Sequence, residues 1–95
     1  MEKTFYEPFK CIAEGTSMEP TIKSGNTITL IKSNHYKIND IVLFNLNNYT
    51  FLHRIVCTFI SGKKKFFITR GDANNIDDKP IMENQIIGKV VHIEK

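Results

Sequence analysis

Long apolar runs are missing from this chain of 95 residues. The longest uncharged stretches, such as IVLF at 41–44, fall far short of the roughly 20 residues a membrane helix needs, so no segment is expected to span a bilayer. The opening stretch MEKTFYEPFK alternates charges with aromatics and has neither an apolar core nor a small-residue cleavage site. It does not read as a signal peptide, and a cytoplasmic location is the expectation. Cysteine is scarce: Cys11 and Cys57 lack the short spacing of a zinc or redox motif, and their apolar surroundings predict two buried thiols. Helical periodicity is sustained nowhere, and there is no internal repeat, low-complexity tract or linker-like change in composition. Net charge is small, +3, and its densest part, KKK at 63–65, follows a Ser-Gly pair that suits a solvated hairpin tip. With no aromatic ladder or recognition motif beside it, no nucleic-acid partner is expected.

What is present is a chain with room for one core, so 1–95 reads as a single domain, and a hydrophobic content of 41% is too high for a disordered one. Stretches rich in Ile, Val, Thr and Phe recur at short intervals between Gly, Asn, Asp and Ser clusters, which predicts an all-β fold of the barrel or sandwich kind. Strands are expected at 9–14, 27–32, 40–46, 50–60, 65–70 and 85–94. Gly62 in SGKK supplies a positive φ for a hairpin between the fourth and fifth of these. SGN at 24–26 marks another turn, and NYT at 48–50 reads as a turn at the entry to a strand. TSMEPTI at 16–22 is expected to make one helical turn, capped by Thr16 or Ser17, with Pro20 close to its start.

Three places carry side chains fit for chemistry. Ser17 stands at the corner before that turn, and a serine becomes a nucleophile only when a base takes its proton and a third group orients the base. Of the three histidines, His53 lies inside the strand TFLHRIV. Alternation puts it on one face with Phe51 and Ile55, opposite Leu52 and Arg54, and a histidine there needs partners for both ring nitrogens. RGDANNIDDKP at 70–80 gathers three aspartates in a loop. Calcium is a poor fit, because Ile76 stands where an oxygen ligand is required and neither the glycine nor the closing glutamate of a calcium loop follows. Taken alone, each place also has an ordinary structural reading: a turn serine, a satisfied core histidine, an aspartate capping a tight turn.

Together these stretches resemble the type I signal peptidase family, in the Ser-His branch found in the endoplasmic reticulum, archaea and some Gram-positive bacteria. GTSMEPTIKSGNTITL (15–30) looks like the nucleophile box and NDIVLFN (39–45) like the strand that follows it. FLHRIV (51–56) is similar to the box carrying the base, and FFITRGDANNIDD (66–78) with IIGKVV (86–91) to the closing boxes. The boxes keep the family's order over roughly residues 9–93.

The resemblance implies a signal-peptidase-like, β-barrel-type catalytic core, related more distantly to self-cleaving SOS repressors, which use a lysine base and carry further segments that 95 residues do not hold. It implies Ser17 as nucleophile, His53 as general base, Asp78 as the orienting acid with Asp72 second, and no metal or cofactor. Gly15 stands where bacterial members have a serine, so the oxyanion hole would rest on the Ser17 N–H, aided by Thr16. Met18 and Pro20 are expected to touch the substrate, a peptide or precursor protein. The family's membrane anchor has no counterpart here, so the expected substrate is either a cytosolic peptide or leader sequence or a membrane-bound precursor reached through a partner that supplies the anchor, and Asn26 replaces the aspartate usual after Gly25. The competing expectation is an idle relative that binds a peptide or partner protein.

Overall fold

The structure, a computed structural model, describes residues 7–95. Seven strands follow one another: β1 (Phe9–Ile12), β2 (Thr27–Ile31), β3 (Ile41–Leu46), β4 (Tyr49–Ser61), β5 (Lys64–Arg70), β6 (Ile81–Met82) and β7 (Ile86–Glu94). A short 3-10 turn, Glu83–Gln85, precedes β7. The strands form one antiparallel sheet in the order β1-β2-β7-β3-β4-β5-β6, an all-β fold whose sheet does not close. Each stretch expected as a strand contains one; only the two-residue β6 has no counterpart in the sequence reading, being too short to show an alternation.

Turn chemistry explains the two tight hairpins. Asn47 and Asn48 both take positive φ, 52° and 69°, as a type I′ turn between β3 and β4 demands, and asparagine tolerates that region better than most residues. Gly62, at φ 65°, turns β4 into β5.

β3 shows how the sheet makes its core. Ile41 packs with Ala13, Met18, Ile22, Ile28 and Leu30. Its neighbour Val42 packs with Phe44, Tyr36, Ile55, Phe67, Ile81 and Ile86. Successive side chains on a strand point to opposite faces, so β3 feeds two clusters, one on each face. A strand covered on both sides needs apolar residues at consecutive positions, which is why IVLF does not alternate.

Two expectations are corrected. Residues 16–22 do not make a helical turn: Glu19 N–H donates to the Thr16 carbonyl at 3.1 Å and Ile22 N–H to that of Met18 at 2.9 Å, giving linked turns. Pro20 has no N–H to donate and disfavours helical backbone at Glu19. Nor are both thiols buried. Cys11 is half-buried, and Cys57 is exposed where an irregularity in the β4–β5 register, between Ile55 and Cys57, resets the alternation.

Candidate active site

The turn bearing Ser17 is anchored from below. Ala13 N–H donates to the Asn26 carbonyl at 2.9 Å and Gly25 N–H to that of Ala13 at 2.8 Å, tying the base of the loop, while Met18 and Ile22 sink into the core. Ser17 is thus left half-buried at the lip. From the far side, Ala73 N–H donates to the Ser17 carbonyl at 2.8 Å, so the loop after β5 holds the same residue.

Gly71 makes that approach possible. A Cβ there would lie 2.6 Å from the Ser17 carbonyl oxygen, 2.7 Å from the Asn74 amide nitrogen and 3.1 Å from His53 Nε2. Only glycine leaves room for the turn, the loop and the imidazole at one point.

His53 projects from β4 on the face that alternation predicts, beside the rings of Phe44 and Phe51, whose centroids lie 6.1 and 6.0 Å from its own. Its side chain is 8% exposed and both ring nitrogens have partners. Nδ1 lies 2.5 Å from Asp78 Oδ2, and Nε2 lies 3.1 Å from Ser17 Oγ. A carboxylate can only accept, so in the neutral imidazole the proton sits on Nδ1 and Nε2 is left to accept from the serine hydroxyl.

Asp78 is itself held. Its Oδ2 also accepts from the Thr69 hydroxyl at 2.7 Å, and its N–H donates to the Thr69 carbonyl at 2.8 Å. Thr69 is wholly buried on β5. An orphaned hydroxyl there would be costly, and Asp78 takes it up.

Asp72 does not face His53 as a hydrogen-bond partner. Arg54 grips it with two parallel bonds, Nε to Oδ1 at 2.9 Å and Nη2 to Oδ2 at 2.8 Å. Thr21 adds its hydroxyl at 2.6 Å, and Asp72 N–H donates to the Met18 sulfur at 3.4 Å. The Arg54 hydrogen bonds, helped by that of Thr21, hold the Asp72 carboxyl below its ordinary range, and Asp72 in turn raises Arg54. Asp72 therefore joins the Ser17 turn to β4, one residue from His53.

The other expected site residues divide. Met18 is only 3% exposed and belongs to the core, so it cannot line an open substrate surface as it stands. Thr16 and Pro20 are exposed beside Ser17, and the Ser17 N–H has no hydrogen-bond partner among the described residues. Sequence reading missed Thr69, Gly71, Arg54 and Thr21. Of these, only Thr69 carried a usable signal: it falls on the buried side of β5, two residues after Phe67, where a hydroxyl requires a partner. No group of three or more potential metal ligands occurs among the described residues.

The Peptidase S24-like family matches residues 4–91 of the chain. Among individual proteins, the chain is similar to the signal peptidase complex catalytic subunit SEC11 of Metarhizium acridum, 32% identical over 88 residues, covering 79% of this chain and 51% of that relative. It is also similar to the subunit of the same name from Plasmodium falciparum, 33% identical over 70 residues (70% of this chain, 38% of the relative). The Yarrowia lipolytica subunit is 31% identical over 65 residues (65% and 38%). The chain thus spans about half the length, or less, of the curated relatives it matches. With most of its length matched, the chain belongs to the Peptidase S24-like family, on the side of the endoplasmic-reticulum-type signal peptidases.

Proposed function

We propose that the chain is a serine endopeptidase that cuts a leader or signal-type segment from a peptide or protein precursor, with Ser17 as nucleophile, His53 as general base and Asp78 as the group that orients it. The observation that carries this reading is the continuous chain of contacts Ser17 Oγ, His53 Nε2, His53 Nδ1, Asp78 Oδ2, at 3.1 Å and 2.5 Å, in a site that shields the imidazole. Neutral His53 accepts the hydroxyl proton as Ser17 attacks the scissile carbonyl, then returns it to the leaving amine. The resulting acyl-enzyme is hydrolysed by a water whose proton again passes to His53. Asp78 keeps Nδ1 protonated and stabilises the transient imidazolium. The free N–H of Ser17, with Thr16 beside it, supplies the oxyanion donors. Substrate lies extended beside the Ser17 segment, adding a strand at a sheet edge. The relatives' names describe a catalytic subunit of a complex, which supports a partner, membrane-anchored in this reading.

The test is labelling of the purified 95-residue chain with a serine-directed phosphonate, read by intact mass. One adduct is expected on Ser17, and none in Ser17→Ala or His53→Ala. Asp78→Asn should slow labelling by orders of magnitude with the fold kept. A folded protein whose Ser17 stays unreactive across neutral pH would show an idle site and end the peptidase reading.

A further inference from the structure

β4 and β5 continue beyond the strands that flank them. β4 pairs with β3 from Tyr49 only as far as Arg54, and β5 pairs with β6 only at Phe66 and Phe67, yet β4 and β5 stay paired with each other out to Ser61 and Lys64. The result is a two-stranded ribbon that projects from the sheet, a form with little stability of its own in water. Its surface is unusual for such a projection. On one face Phe59 and Phe66, cross-strand partners, stack with centroids 5.2 Å apart and planes 16° from parallel. On the other face Ile60 stands 73% exposed opposite Lys65.

The charge on the ribbon has one sign. Between Ile41 and Gly71 the sequence contains no acidic residue, while it contains Arg54, Lys63, Lys64, Lys65 and Arg70. Arg54 and Arg70 are neutralised by Asp72 and Asp77 from the following loop. Among the described residues, no ion pair involves Lys63, Lys64 or Lys65. The ribbon therefore ends in three lysines outside any ion pair among the described residues, Lys65 lying over the Phe67 ring at 5.3 Å, beside the exposed Phe59 and Ile60 and the half-buried Phe66.

We propose that this tip docks on an anionic membrane surface. Lysine ammonium groups gain at the negative headgroup layer, and aromatic and branched aliphatic side chains just behind them gain in the interfacial region. The same residues suit single-stranded nucleic acid less well: Phe59 and Phe66 each spend one ring face on the other, and Ile60 offers no π face to a base. Eight residue steps along β4, about 26 Å of extended chain, separate Ser61 from His53, so docking does not depend on the hydrolytic site or on the peptidase reading.

The experiment is co-sedimentation of the 95-residue chain with vesicles of phosphatidylcholine alone or with about a third phosphatidylglycerol, at low and high salt. Binding is expected only to the anionic vesicles, and it should weaken with salt. Replacing all three lysines (Lys63→Gln, Lys64→Gln, Lys65→Gln) should weaken it about 100-fold, near fivefold for each lysine. Ile60→Gln, at a position 73% exposed, should weaken it about tenfold with a nearly unchanged melting temperature. Failure to bind anionic vesicles, binding that the triple variant retains, or capture by single-stranded oligonucleotides with vesicles ignored would each overturn the proposal.

Discussion

Thr69 exposes no surface, yet its hydroxyl reaches the same Asp78 oxygen that meets His53. That oxygen is fixed from two sides, so under the proposed mechanism Thr69 would act through Asp78 as a positioning residue. Thr69→Val keeps the shape and removes the donor. It should lower kcat/KM for a cleavable peptide about tenfold and stability by about 1 kcal/mol, as for one lost hydrogen bond. Thr69→Ser should restore the rate more fully than the stability, since it returns the donor and leaves a methyl-sized gap. Steady-state kinetics and urea denaturation of both variants check this. A merely structural role would move both variants' rates only as far as their stability moved. The residue scale is also where the sequence was most readable: His53 and Ile55 face inward because β4 alternates there. It was least readable for Met18, whose burial depends on what lies beneath the turn.

At the scale of elements, Asp72 acts as a strut. It joins the Ser17 turn, through Thr21 and Met18, to β4 through Arg54. Its carboxyl titrates lower in the folded chain than an ordinary carboxylate near pH 3.9, so the ionised form is favoured by folding. The stabilisation is whole above that ordinary value and disappears as pH falls through the lower folded-state value. Asp72→Asn should therefore be less stable than the parent at neutral pH, by no more than about 1 kcal/mol because solvent screens the pair, and the difference should shrink as pH falls below the ordinary carboxylate value near 3.9. Thermal melts of both proteins across that range measure it. A difference that persisted at the acid end would assign the effect to packing. The hairpins were legible at this scale wherever turn residues announced them, as at Gly62. The turn after Ser17 was not, because proline suits the start of a helix and yet opposes helical backbone at the residue before it, here Glu19.

At the scale of the whole molecule, β3 sends Ile41 into one cluster and Val42 into the other, so neither core can come apart while the other persists. Leu30 lies in one cluster, and Tyr36, 1% exposed, lies in the other. Leu30→Ala should shift the unfolding transition reported by the Tyr36 ring resonances in urea by about 2–5 kcal/mol, the usual cost of a buried leucine cavity. A Tyr36 signal that failed to move would show two independent cores and refute a single cooperative unit.

The sequence by itself determined the strands, their inward and outward positions, the tight turns, and the presence of a serine, a histidine and several aspartates in suitable surroundings. Each of these follows from properties of a few neighbouring residues: alternation with period two, φ preference, the cost of a polar group on an apolar face. The family resemblance put Asp78 ahead of Asp72, but their local surroundings did not; tertiary structure brings Asp78 to His53, places Thr69 and Gly71 beside it, and sets β7 between β2 and β3. Asp72 and Asp78 lie six residues apart in one loop with equal local claims. The choice between them rests on register: Thr69 on β5 holds the backbone and carboxylate of Asp78 beside the imidazole, while Arg54, pointing to the opposite side of β4 from His53, draws Asp72 away.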